Sequence, residues 1–316
     1  MDDADPTPEH ARDIAAAVVG RSPRAVRRFT TGARHFVYEV VFERAPPVVV
    51  RMTRPAERRI CRDAAALSGQ LRPLGVPLPE LLADGSESVI PHLVLERLPG
   101  RDFGQVARSL DRVALERIAH GVADAQSVVA RLPSTGRYGY GAKPEAAPHA
   151  RWSAVLEESL ERSRRRIATA GLFDLAPVER VGAWLERLRP ELDAVPATPF
   201  LHDTTTKNVI VTDDGRLSGV VDVDDLCYGD PRHVAALTLA SLLGGMARGG
   251  PVEYVELWRR RAGWREDALF RFYVAFCLAD FMSEHGQRFN GNTTPSTHED
   301  RAQLMRAFEA AAAAIG

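Results

Sequence analysis

The sequence predicts an α+β protein in two parts, a strand-rich N-terminal region followed by a mainly helical one. Three observations predict it. The chain has 316 residues, enough for two domains or one large bilobal unit. β-Branched and aromatic runs separated by turn residues dominate the first hundred positions, whereas amphipathic helical spacing dominates the rest. The texture changes at Pro99-Gly100, which divides the chain into residues 1–98 and 99–316.

Thr7, Pro8 and Glu9 supply an N-cap, a first-turn proline and a favourable first-turn acid for a helix running towards Gly20. FVYEVVFE and VVVRMT, punctuated by Ala45-Pro46-Pro47, read as paired strands. Ile60, Ala64, Leu67 and Leu71 share a helical face between Ala56 and Leu71, and Pro73 and Gly75 stop that helix. ELLADGSESVI and HLVLERL form a second strand pair with Asp84-Gly85 in its turn. Amphipathic helices then follow over residues 110–132, 152–170 and 177–192, with an exposed loop over 133–150. An isolated hairpin occupies 208–222, turning at Asp213-Asp214-Gly215, and Ser296 with Glu299 makes a capping box for the last helix.

Composition excludes several function classes. Lys plus Arg number 41 against 42 Asp plus Glu, so no basic excess exists to neutralise a phosphate backbone and nucleic acid is not an expected partner. No apolar run reaches the roughly 20 residues that span a bilayer. The opening MDDADPTPEH lacks the basic and apolar regions of a secretory signal, so the expected setting is cytoplasmic, with no membrane partner. Cys61, Cys227 and Cys277 are too few and too widely spaced for a disulfide framework or structural zinc. Only two of the 41 basic side chains are lysines, Lys143 and Lys207.

The chemistry is concentrated in FLHDTTTKNVIVTDDGRLSGVVDVDD, which sets Asp203 before the hairpin, Asn208 at its start and Asp222 at its end. A hairpin returns its ends to one place, so two carboxylates and an amide can converge there. Such oxygen ligands suit Mg²⁺ held together with substrate phosphates. An Asp that accepts a hydroxyl proton, an Asn five positions on and a further Asp for metal is the arrangement used in phosphoryl transfer. The bland alternative is that Asp203 and Asn208 merely build a turn.

On these residues the sequence resembles the aminoglycoside phosphotransferase-like family of small-molecule kinases, over most of its length. FTTGARHFVYEVVF resembles the phosphate-covering hairpin, VVVRMT the third strand, RDAAALSGQLRPLGVPLPELL the following helix and strand, HLVLERLPG the connection between lobes, and GDPRHVAAL the segment after the metal-binding Asp. The resemblance implies a bilobal protein-kinase-like fold, Mg²⁺ as cofactor, and ATP or GTP as co-substrate. It implies Asp203 as the catalytic base, and Asn208 and Asp222 as metal ligands. It also implies Gly32, Arg34, Arg51, Asp63, Glu96 and Leu98 around the nucleotide, the last two through backbone groups. Arg51 stands where the family often has lysine or arginine for the phosphates, with Asp63 or the longer Glu57 as its acid. Asp230 is implied as a support of the catalytic loop, and a structural rather than catalytic residue.

The acceptor is expected to be a small hydroxylated molecule, with an amine-bearing antibiotic as one candidate, since Asp280 and Glu284 are four apart on one helix and share a face. A solvated acidic face is the plain alternative for that pair. Lys207 and Asp225 join them as candidate substrate residues; Lys207 would lie beside the transferred phosphoryl group or point to solvent. A kinase of choline, homoserine, sugar amines or macrolides shares these motifs, and a non-catalytic nucleotide-binding protein would lose one of the three central residues. The pattern departs from the family at Leu201, where a histidine is usual two places before the base; His202 stands next to Asp203 instead.

Overall fold

Period-two burial builds the first lobe. In a computed structural model that describes residues 5–29, 35–245, 250–289, 292–293 and 296–315, the strands β1 (Ala25–Arg28), β2 (Phe36–Val41), β3 (Val48–Met52), β4 (Leu81–Gly85) and β5 (His92–Glu96) form one antiparallel sheet in the order β1-β2-β3-β5-β4. Phe36, Tyr38 and Val40 on β2 and Val48, Val50 and Met52 on β3 face Ala11 and Ala15 of α1 (Pro8–Val19). Alternation then turns Arg51 to the opposite face, where α2 (Arg58–Leu71) packs Cys61, Ala64 and Ala65 against Leu93. As expected, Thr7 caps α1 and Gly20 ends it in the left-handed conformation. The expected turn at Asp84-Gly85 moves downstream. Both residues pair within the sheet, and the Asp84 carboxylate accepts the Ser86 N–H at 2.9 Å, starting the reversal two residues later.

The chain leaves this lobe through residues 97–100. Gly100 has φ +101°, and a Cβ there would lie 2.0 Å from the Val211 carbonyl oxygen, so only glycine allows the crossing. The second lobe opens with β6 (Arg101–Asp102), α3 (Phe103–Val106) and α4 (Arg112–Val129), then β7 (Gly139–Gly141) and α5 (Trp152–Ala170). The helix expected over 177–192 is two, α6 (Ala176–Arg187) and α7 (Arg189–Asp193), because Pro190 has no N–H to continue the ladder. Next come β8 (Thr198–Phe200), the hairpin of β9 (Val209–Val211) and β10 (Leu217–Val220), β11 (Leu226–Gly229) and α8 (Arg232–Leu243). The chain ends with α9 (Glu253–Ala262), α10 (Ala268–Glu284), the pair β12 (Arg288–Phe289) and β13 (Asn292–Thr293), and α11 (His298–Ala313).

The hairpin is not isolated. β6 adds to β9, and a second three-stranded sheet, β7-β11-β8, stands beside it. These strands of two to four residues are too short for periodicity to reveal. α11 starts from Thr297 with Asp300 completing its capping box, one residue later than Ser296 and Glu299 predict; Ser296 is taken by His285 and Arg301. Leu67 and Leu71 of α2 pack with Ala125, Val129, Leu201 and Tyr228, so one apolar cluster ties the lobes together. The three cysteines are buried and unbridged. Among the described residues, no helix is long and apolar enough to cross a membrane.

Candidate active site

Asp203 lies in the turn that leaves β8, and Asn208 stands in the turn immediately before β9, after three buried threonines and Lys207. The Thr205 hydroxyl donates to Asp203 Oδ1 at 2.9 Å, and Asn208 Nδ2 donates to the Asp203 carbonyl at 2.8 Å. The Val221 N–H donates to the Asn208 carbonyl at 2.9 Å, closing the hairpin and bringing Asp222 to the same end. Asp222 holds φ 65°, the only positive φ outside glycine among the described residues, a conformation that Asp tolerates better than most.

Lys207 reaches back to Asp203, Nζ to Oδ2 3.4 Å. The Asp203 charge, ahead of Asp222 and Glu284, outweighs burial and raises the Lys207 pKa, so the ammonium stays protonated. Asp222 is pulled the other way: burial opposes its ionisation, but Arg51, His35, Lys207 and His202 together hold its carboxyl below the usual range.

Asp203 and Lys207 stand at the edge of a cavity of about 270 Å³, and Asp280 and Glu284 of α10 line it with them. Asp280 accepts from Ser163 and from Arg162, the latter at 3.3 Å. Burial, reinforced by Asp280, pushes Glu284 up to about 7, while Lys207 works against it.

Other expected positions differ. Asp225 does not line this cavity. It accepts from His202 at 2.6 Å and faces a smaller hollow with Asp63, Arg59, Tyr140 and Asp224. Burial of His202 opposes its protonation, but this contact together with the charges of Asp225, Asp203 and Asp222 raises its pKa. Arg51 does not pair with Asp63 or Glu57. Only 7% exposed, it needs its charge met at contact distance, and Asp224 and Asp222 do so, with His35 beside them. The Glu96 carboxylate accepts from the Glu80 N–H at 3.1 Å, while Leu98 packs into the lobe junction and its carbonyl accepts from the Arg97 guanidinium. Asp230 supports no part of the 202–208 loop among the described residues; it binds Arg232 and the Tyr273 hydroxyl. Gly32 and Arg34 lie outside the described residues.

Sequence reasoning missed His35, whose Nε2 is 2.6 Å from Asp224 Oδ2, and Gln126, whose amide holds the chain on both sides of Asp203. A lone histidine beside a phosphate-loop motif and a glutamine on the apolar stripe of a helix were the available signals.

With this geometry in view, the likeness to known proteins is specific. Residues 25–270 match the model of the phosphotransferase enzyme family, APH. Viomycin phosphotransferase of Streptomyces vinaceus is 31% identical over 202 residues, which are 58% of this chain and 64% of that protein's length. The structure of a thermostable mutant of the aminoglycoside phosphotransferase APH(4)-Ia, in a ternary complex with AMP-PNP and hygromycin B, superposes with a TM-score of 0.64 at 16% identity, covering 96% of this chain and 97% of that one. ADP-bound aminoglycoside phosphotransferase APH(2'')-Ib gives 0.61 at 13% identity, over 94% and 96% of the two chains. These two establish the fold.

Proposed function

The chain belongs to the APH phosphotransferase enzyme family, and from that premise we propose that it is a small-molecule kinase, moving the γ-phosphoryl group of a Mg²⁺-bound nucleoside triphosphate, ATP first, to a hydroxyl. The observation that carries this reading is the convergence of Asp203, Lys207, Asn208 and Asp222 at one end of a hairpin, beside a cavity for an acceptor. The donor set fits the metal. Asn208 hydrogen-bonds through its nitrogen, leaving its oxygen to coordinate, and ligand atoms of Asp222, Asp224 and His35 lie within 4.8 Å of one another. Asn208 and Asp222 would hold the ion, which neutralises charge on the phosphate oxygens when bound.

Asp203 takes the proton of the acceptor hydroxyl as that oxygen bonds to the γ-phosphorus and the bond to the bridging oxygen of the leaving diphosphate breaks. Thr205 fixes one carboxylate oxygen by hydrogen bonding, and Lys207, 3.4 Å from the other, offers positive charge beside the transferred group. Arg51 would turn its guanidinium to the phosphates. Alignment and charge neutralisation supply most of the rate.

For the acceptor, Asp280 and Glu284 favour an amine-bearing molecule, and the relative's action on viomycin and the neighbour's complex with hygromycin B support an antibiotic. A cavity of about 270 Å³ is smaller than the ~300–1,000 Å³ of drug-sized pockets, so it would take one ring or side chain of such a molecule. The test is Mg²⁺-dependent thermal stabilisation by ATP and by GTP, followed by ADP release across amine-bearing antibiotics and small metabolites. No stabilisation by either nucleotide defeats the proposal.

A further inference from the structure

Asp203 follows a strand that has run out of partners. β8 pairs with β11 only as far as Phe200, so the backbone N–H and C=O of Leu201 have left the sheet. The Gln126 side chain takes over. Its Oε1 accepts the Leu201 N–H at 3.0 Å, while its Nε2 donates to the Leu201 carbonyl at 2.8 Å and to the Thr204 hydroxyl at 3.1 Å. One primary amide thus extends the ladder by a residue and uses its acceptor and both donors. The amide orientation follows from chemistry, because a peptide N–H can only donate and a carbonyl only accept.

Gln126 is 2% exposed and lies on the buried stripe of α4, among Val122, Ala123, Ala125 and Val129. A polar group at such a position costs stability unless its hydrogen bonds are made. Here they are made to residues two before and one after Asp203, so the helix core grips the chain on both sides of that aspartate. Leu201, at the position of the family's usual histidine, offers only backbone groups for this contact. We propose that Gln126 is the positioning residue of the catalytic loop, fixing the Asp203 carboxylate against the acceptor hydroxyl through the peptide of Leu201 and the hydroxyl of Thr204.

The inference rests on the kinase reading, and its test separates the two. A displacement of ~1 Å can cost on the order of 10²-fold in rate. Gln126→Met, similar in size but without the amide, is expected to lower kcat by roughly ten- to a hundredfold while the KM for nucleotide stays within about twofold. Gln126→Glu keeps the acceptor for the Leu201 N–H and regains a donor only when protonated, so its rate relative to the parent should rise as pH falls. Thr204→Val removes one anchor and should cause a smaller kcat loss of the same kind. A Gln126→Met kcat within about twofold of the parent overturns the inference, as does an equal loss of nucleotide binding. If Gln126→Met does not fold, a Glu variant with a flat rate ratio across pH overturns it. If the parent transfers phosphoryl to no acceptor, the kinase reading fails, and hydrogen exchange over residues 201–206 still decides the positioning: faster exchange in Gln126→Met supports it and unchanged exchange defeats it.

Discussion

The Arg51 guanidinium lies 3.5 Å from the Asp222 carboxylate, with Asp224 in contact with the same nitrogen. The strand cation assigned to phosphate oxygens and the aspartate assigned to metal therefore hold each other across the junction of the lobes. Binding a Mg²⁺-nucleotide must exchange this pairing for new ones: the carboxylate gains a cation and the guanidinium gains phosphate oxygens. The two exchanges match in charge, so neither group needs to be left bare.

Asp222→Ala should abolish most Mg²⁺-dependent stabilisation by nucleotide. The ion loses a carboxylate and Arg51 keeps Asp224, so the fold should survive the change. Thermal melts with ATP, with and without Mg²⁺, read this directly, and an unaltered metal-dependent shift would remove Asp222 from the ligand set.

Arg51→Met should weaken nucleotide binding and also lower stability, by on the order of 1–3 kcal/mol, since it leaves two carboxylates facing each other with one cation gone. Asp222 has a depressed pKa in the fold, so its stabilisation is present above the unfolded carboxyl value, ~3.9, and disappears as pH falls through the lower folded value. The gap in Tm between parent and variant should accordingly narrow below about pH 4. A gap constant from pH 7 to pH 3 would show that the pair does not hold Asp222 ionised.

Asp203→Asn preserves size and the contact from Thr205 but cannot accept the hydroxyl proton. Turnover should fall by roughly 10² to 10⁴, with nucleotide binding close to that of the parent. Near-normal kcat in this variant would require another base.

Gly100→Ala should destabilise the passage between lobes. The residue has φ +101°, and the added Cβ would fall 2.0 Å from the Val211 carbonyl oxygen, a backbone atom that cannot swing aside. A loss of at least ~1–3 kcal/mol is expected. A chemical-denaturation midpoint equal to that of the parent would mean that the backbone there relaxes freely.

What the sequence made legible was local. Asp203 stands just before one hairpin, with Asn208 and Asp222 at its two ends, and the spacing dictated by a turn is enough to bring them together. Asp280 and Glu284 share a helix face for the same reason. The partner of Arg51 was not legible, because it depends on how residues 222–224 pass beneath the sheet, and α2 offered a nearer acid in sequence. Gln126 is 75 residues from Leu201; its one trace is a polar side chain in a stripe of Val and Ala. β7, β8 and β11 escaped because each is three or four residues long and is stabilised by partners distant in the chain. Local chemistry names the reacting groups, whereas long-range packing decides what holds them.

Glu284 ties acceptor chemistry to stability. Burial first, and the Asp280 charge second, raise its pKa to about 7, against an unfolded value of ~4.3. An acid raised in the fold resists ionisation, so the protein binds more protons at this site than the unfolded chain does, and stability falls as pH rises between those two values. Glu284→Gln removes the titration but keeps size and polarity. It should therefore raise Tm relative to the parent at pH 8 and change it little at pH 4. An ammonium group bound in the cavity would favour the ionised form, so an amine-bearing acceptor should release protons on binding near pH 7, and the Gln variant should release fewer. Calorimetry in two buffers of different ionisation enthalpy measures that difference, and equal proton release by parent and variant would show that Glu284 does not face the acceptor.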